Sequence, residues 1–285
     1  MILHRYKVKS PTTEVTICPL GDIQWAGDRD DIAYDYLEEH IALCLKQPDP
    51  LFIGMGDYID FASPSNREAL QQARLYDTAR KVIANASKGL VDDLYHRLLA
   101  PTRGRWLGLT QGHHHHPLIL DLKKPDQTVD SDEYLARLLK APFSEEFALI
   151  KIEFGSDEHT VTFLAYHGSG SSVFPWGPLT RMYRLTPNFL VDFMLMGHQT
   201  KLSKTAFDRV HFPDTGPNRL EHRSIRLIST GGWSKGYVSG KATYVSRAAM
   251  SPVALGQPLV HIRPRFRTST ELGTKVWERR ITEES

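Results

Sequence analysis

Cysteine is almost missing: the 285 residues contain two, Cys18 in a predicted strand and Cys44 in a predicted helix. Two such positions cannot make a disulfide framework, so both read as small apolar packing residues of a protein kept in a reducing compartment. Long hydrophobic runs are missing too. No stretch is apolar for long enough to span a bilayer, and the opening "MILHRYKVKSPTTEV" lacks the apolar centre of a signal peptide, so the expectation is a cytoplasmic protein with no membrane partner. An excess of one charge is also absent. A formal net charge of +2 creates no global field for nucleic acid. Arg263, Arg265, Arg267, Lys275, Arg279 and Arg280 make the C-terminal stretch locally basic, which reads as a solvated charge run. The terminal "RRITEES" is the segment expected to be disordered. There is no internal repeat and no low-complexity linker.

What is present is enough apolar material for a sizeable core, 41% of the chain. One domain over residues 1–285 is expected, with about 224–285 supplying C-terminal strands and a Gly- and aromatic-rich extension. "EVTICPLGDIQ" is a β-branched run ending at Gly21-Asp22, and "LFIGMGDYID" repeats the pattern, ending at Gly56-Asp57. Between them, Ile32, Tyr36, Leu37, Ile41 and Leu45 fall at helical spacing until Pro48 and Pro50. A second helix is expected from Asn66 to about Leu99, followed by the strand "RWLGLTQGHHHH". "DSDEYLARLLKA" opens with capping residues and reads as a short helix. "FALIKIEFGSDEHTVTFLAYHG" reads as a hairpin leaving at His167, and "FLVDFMLMGHQT" as a strand leaving at His198. "SIRLIST" and "QPLVHIRPRF" are further strands. This order predicts an α/β fold, a mixed two-sheet sandwich flanked by helices, with ligands at the carboxyl ends of its strands.

Those ends carry Asp22 and Gln24, Asp57 and Asp60, four successive histidines from His113 to His116, His167, and His198 with Thr200. Each alone reads as a turn, because Gly, Asp and His favour turns. Together, carboxylates and imidazoles form the donor set of a divalent cation, and an Asp offers two oxygens that can be shared between two ions.

In order and spacing, "GDIQ", "GDYID", "GHHH", "YHG" and "GHQT" resemble the motifs of the calcineurin-like metallophosphoesterase superfamily. The resemblance runs from about Val15 to Lys201 and includes phage-encoded and nuclease-like members. It implies Asp57 as a bridging carboxylate, Asp22 as ligand of a first metal, and His113, His167 and His198 as further ligands of a second. It implies a catalytic His114, contacting phosphate or protonating the leaving oxygen, and an Asp60 that orients its neighbours. At the first metal the sequence departs from the family pattern: Gln24 and Thr200 stand where the family has histidines. Oxygen donors there suit a hard cation held weakly, so one tight and one weak site are expected. Mn²⁺ is the first expectation, with Mg²⁺, Zn²⁺ or Fe as alternatives. His115 and His116 are read as structural or supporting.

The activity implied is metal-dependent hydrolysis of a phosphate ester, a phosphodiester by preference and DNA or RNA among the substrates. A different class competes with it: a non-catalytic metal- or nucleic-acid-binding module that kept the fold, which Gln24 and Thr200 favour. Two stretches remain open. "GSGSS" at 168–172 reads as a flexible loop or a phosphate cradle. Trp176, Arg181, Tyr183 and Arg184, like Trp233, Tyr237 and Tyr244, read either as packing or as groups for bases and phosphates.

Overall fold

The structure is a computed structural model, and it describes residues 1–27, 31–62, 76–120, 127–172, 174–211, 220–247, 249–252, 254–268 and 275–284. In chain order the elements are β1 (Ile2–Val8), β2 (Val15–Leu20), α1 (Tyr34–Leu45), β3 (Pro50–Gly54), α2 (Asp77–Leu94), β4 (Trp106–Thr110), β5 (Pro117–Ile119), β6 (Thr128–Asp130), α3 (Ser131–Leu139), β7 (Phe143–Ser144), β8 (Phe147–Phe154), β9 (Thr160–Tyr166), α4 (Gly177–Leu185), β10 (Phe193–Met196), β11 (Leu202–His211), β12 (Glu221–Thr230), α5 (Tyr244–Arg247), β13 (Leu259–Thr268) and β14 (Lys275–Glu284). They build an α/β architecture of two six-stranded mixed sheets, ordered β1-β8-β9-β10-β12-β11 and β14-β13-β2-β3-β4-β7, beside a small β5-β6 ribbon.

The continuous apolar runs of β2, β3 and β4 are explained by burial on both faces. Ile17, Leu51, Ile53 and Leu107 point at the other sheet and meet Ile150, Phe163, Phe193 and Ile228. Their alternates Cys18, Leu20, Phe52 and Leu109 point outward onto Leu37, Ile41, Val91, Leu94 and Leu135 of α1, α2 and α3. On the far side Met194, Met196 and Leu227 pack with Met182 of α4. The two-residue period of the strands thus sorts one sequence into three cores. Parallel pairing of β2 with β3 and β3 with β4, and of β9 with β10 and β10 with β12, aligns their carboxyl ends.

Several expectations shift. The buried stripe of α1 is Leu37, Ile41 and Cys44, while Tyr36 is 61% exposed and Ile32 lies before the helix, bridged to Ser234. The expected helix from Asn66 is α2 from Asp77, continued as a π-turn at Tyr95–Leu99; residues 66–75 lie outside the described residues. The larger correction is at the C-terminus. "RRITEES" is not disordered up to Glu284: it belongs to β14, paired along its length with β13. Trp277 and Ile281 pack against the inter-sheet core, and between them Glu278 pairs with Arg265 and Arg267, and Arg279 with Asp192. With Arg263 bound to Glu14, the basic run forms part of a hairpin, and Arg265 and Arg267 are still 58% and 69% exposed, solvated as expected. Cross-strand opposite charges support such a ribbon. No helix among the described residues is long and apolar enough to cross a membrane.

Candidate metal centre

The chain leaves β2, β3 and β10 through strained backbone. Asp22, Gln24, Asp57, His198 and Thr200 have φ of +47°, +51°, +52°, +65° and +47°. Such values are uncommon without glycine and rarest for a β-branched residue like Thr200. Each costs about 1–3 kcal/mol and persists where surroundings impose it, as functional sites do. The turns fold each side chain back over the strand tips. Close approach is needed as well: a Cβ at Gly112 would fall 1.9 Å from the Asp57 amide nitrogen. At Gly56, which has φ +83°, it would fall 2.6 Å from Nδ1 of His167.

Five strand tips therefore converge. The ring nitrogens of His113, His167 and His198 offer ligand atoms within 4.8 Å of one another, and so do Asp22, Asp57 and His167. His167 belongs to both sets. Its Nδ1 donates to the Met55 carbonyl at 2.7 Å, which turns Nε2 toward Asp57 Oδ2 at 3.2 Å. Nε2 has that ion pair alone, and Oδ1 of Asp22 is buried without a hydrogen-bond partner. A buried carboxylate oxygen left unpartnered in this space fits a divalent cation, as does a histidine whose other nitrogen is fixed by a carbonyl. Asp57 is anchored on its other oxygen: Oδ1 accepts from the amides of His113 at 2.5 Å and His114 at 2.9 Å. Oδ2 of Asp22 accepts from the amide of His198 at 3.0 Å.

The electrostatics follow from burial and pairing. Burial opposes ionisation of Asp57, but the adjacent His167 outweighs it and holds the carboxyl well below the usual range. Burial likewise opposes charge on His167, yet the Asp57 carboxylate lifts it to about 9. Asp22, buried beside Asp57, is pushed up to about 7. Burial, then the positive His167, bring His198 down to about 4; burial also lowers His113. Neutral imidazoles are the ligand form.

The four histidines separate in role. His113 faces the centre, and His114 sets Nδ1 2.8 Å from Asp60 Oδ1 with Nε2 3.8 Å from Asp57 Oδ2. His115 binds Asp130 Oδ2 through Nδ1 at 2.5 Å. His116 is buried, tied by its amide to Ser131 Oγ at 3.0 Å, its ring tilted against Phe61. Gln24 and Thr200 lie two residues beyond Asp22 and His198 in the same left-handed turns. The Gln24 amide donates to the Asp57 carbonyl at 2.9 Å. Thr200 and Asp22 both approach Gly232, where a Cβ would fall 2.9 Å from Thr200 Cγ2 and 3.2 Å from Asp22 Cβ.

Sequence reasoning missed three supports. Asp132, fully buried, accepts from the Gly112 amide at 2.9 Å. Its neighbour Asp130 caps α3 through one oxygen while holding His115 through the other; the capping signal was visible and hid the second role. Gln257 pairs its side-chain amide with both backbone groups of Gly21, at 3.2 and 3.0 Å, and buried Trp233 donates to the same carbonyl at 3.2 Å. Trp233 is thereby packing that braces the Asp22 turn. No local signal identifies Gln257, which lies 236 residues from Gly21.

No protein-family model and no curated protein sequence matches the chain. Among solved structures, wild-type Vps29 complexed with Zn²⁺ from Entamoeba histolytica is similar over 94% of this chain and 98% of its own, at 12% identity and a TM-score of 0.36. A double mutant of Vps29 from the same organism is similar over 94% and 99%, at 12% identity and a TM-score of 0.31.

Proposed function

We propose that the chain is a divalent-cation-dependent phosphoesterase of the calcineurin-like metallophosphoesterase type, acting on phosphodiesters, with DNA or RNA among its substrates. One observation carries the reading: two overlapping sets of candidate ligand residues, joined at His167 and drawn from five strand tips, include a carboxylate oxygen of Asp22 that is buried and unpartnered. Asp22, Asp57, His113, His167 and His198 would hold the cation, Mn²⁺ first among candidates. Bound there, it supplies Lewis-acid polarisation of a phosphoryl oxygen and acidification of water. The chain's own contributions are distinct. Asp57 is held ionised and fixed by two amides. His114, oriented by Asp60, delivers a proton to the leaving oxygen.

Gln24 and Thr200 support one tight and one weak site, because they replace nitrogen donors with neutral oxygens on the Asp22 side. They also favour a second reading, a binding module that kept one metal and lost turnover. Hydrolysis of bis(p-nitrophenyl) phosphate with added Mn²⁺, against Asp57→Ala and His114→Ala, tests both. A metal-dependent rate abolished by each variant supports the enzyme; no rate above the variants, with metal still bound, supports the module.

A further inference from the structure

The connection between β9 and α4 lies beside the centre and is not explained by it. His198 leads directly to Gln199, whose side chain is only 8% exposed and whose Oε1 and Nε2 are both buried without a partner. A buried amide with neither end satisfied is rare in a folded protein. Its Oε1 lies 3.6 Å from where a Cβ would stand on Gly177, the first residue of α4. The amide is thus aimed at the helix N-terminus, where the Gly177 N–H is bonded to the Phe174 carbonyl and Pro178 has no N–H, so that Gln199 Nε2 and the helix dipole are what favours an anion. No side chain caps that end.

The surroundings are built closely. Ser172 sits against the helix start, its Oγ 2.2 Å from a Cβ placed on Gly177. Lys201 reaches across and donates to the Ser172 carbonyl, and the Arg181 guanidinium covers Gly170. The Gly170 backbone also interacts with the His198 side chain, so the loop adjoins the centre. Immediately before the helix, Phe174 and Trp176 stack at 4.9 Å and 13°, yet are 54% and 59% exposed. A flat aromatic pair held open to solvent beside an anion site offers a platform for another ring.

We propose that Gln199, Ser172 and the N-terminus of α4 bind an anionic oxygen of the substrate's non-leaving side, while Phe174 and Trp176 stack its base. The ligand class is a nucleotide ester. The inference rests on the phosphoesterase reading and names the substrate that reading leaves open.

Two measurements test it. The first is calorimetric titration of the metal-free full chain with thymidine 5′-monophosphate, inorganic phosphate and thymidine. The nucleotide is expected to bind at least tenfold more tightly than either part, an advantage lost in Gln199→Leu and in Trp176→Ala. Trp176 is exposed, so its variant folds whatever the first does. Equal affinities for nucleotide and phosphate, or variants that bind like the parent, overturn the subsite. The second uses the Mn²⁺-loaded chain with two esters of p-nitrophenyl phosphate, one carrying thymidine and one carrying methyl. The ratio of their kcat/KM values should exceed about tenfold and fall by about tenfold in Trp176→Ala; a ratio near one overturns the proposal. Failure to cleave the methyl ester counts against the phosphoesterase reading, whereas the titration judges the subsite by itself.

Discussion

His113 and His198 face one another through their Nδ1 atoms at 3.1 Å, at the tips of β4 and β10 and 85 residues apart in sequence. Both rings are kept neutral, by burial first and then by the positive His167. Two neutral nitrogens so close, with His167 completing the set, form a nitrogen-rich pocket that a borderline cation prefers. His167→Ala removes the residue common to both ligand sets. Metal affinity should fall by about 100-fold or more, since even supporting residues around a metal contribute about 10- to 100-fold. Equilibrium dialysis with metal analysis reads the change, and an unaltered affinity contradicts the pocket.

Binding should release a proton. Without a cation, His167 keeps its proton up to about pH 9 because Asp57 stabilises the imidazolium. A ligand nitrogen must give that proton up, so affinity rises with pH through 7 and 8 and levels near 9. In the metal-free chain the sign for stability is opposite. The raised histidine contributes fully below its unfolded value of about 6.5 and loses the contribution as pH passes 9. Calorimetry at pH 7.5 in buffers of different ionisation enthalpy should find about one proton released per ion. Zero release would remove His167 from the ligand set.

Much of this arrangement was legible in the sequence, for a physical reason. A strand buried on both faces must be apolar throughout, so β2, β3, β4 and β10 announce themselves, and the polar residue ending each run is delivered to the shared edge of the sheets. Asp22, Asp57, His113 and His198 were found that way. What stayed hidden depends on contacts between distant segments. Gln257 reaches Gly21 across 236 residues. The terminal strand β14 looked solvated because its charges are neutralised by partners on β13 and by Asp192, which no local pattern records. Tyr36 misled for the converse reason, having helical spacing but facing solvent.

Gln24 and Thr200, where the proposed function would place imidazoles, share the backbone conformation of the carboxylates near them. Gln24 and Thr200 hold φ of +51° and +47°, like Asp22 and Asp57 beside them. Histidine at both positions would change the donor atoms and need no new backbone strain. Gln24→His with Thr200→His should raise bound metal from about one to about two ions per chain after dialysis. The single variants should fall between. A double variant that still holds one ion would show that the Asp22 side is closed to metal for another reason.

Asp132 gives a prediction independent of any cation. Fully buried and near Asp130 and Asp57, it is pushed up to about 7, burial being the largest cause. Its folded value lies above the unfolded value of about 3.9. The protonated form therefore stabilises the fold fully below pH 4, and that stability is lost as pH rises through 7. Asp132→Asn keeps an acceptor for the Gly112 amide and removes the titration. In chelator, the melting temperature of the variant minus that of the parent should climb from pH 4 to pH 8. A difference that stays flat over this range rejects the assignment.

In the proposed reaction, His114 and Asp60 deliver a proton and do not hold metal. Their hydrogen bond at 2.8 Å fixes Nδ1 of the ring and leaves Nε2 on the Asp57 side, 3.8 Å from Oδ2. A positioned general acid is worth about 10²- to 10⁴-fold. His114→Ala should lower kcat for bis(p-nitrophenyl) phosphate within that range while bound metal stays constant. Asp60→Asn keeps an acceptor for the ring and should cost less kcat than removal of the whole side chain. Asp60→Ala should lower kcat further by freeing the ring. If His114→Ala loses metal in proportion to activity, the residue is a ligand and the proton comes from elsewhere.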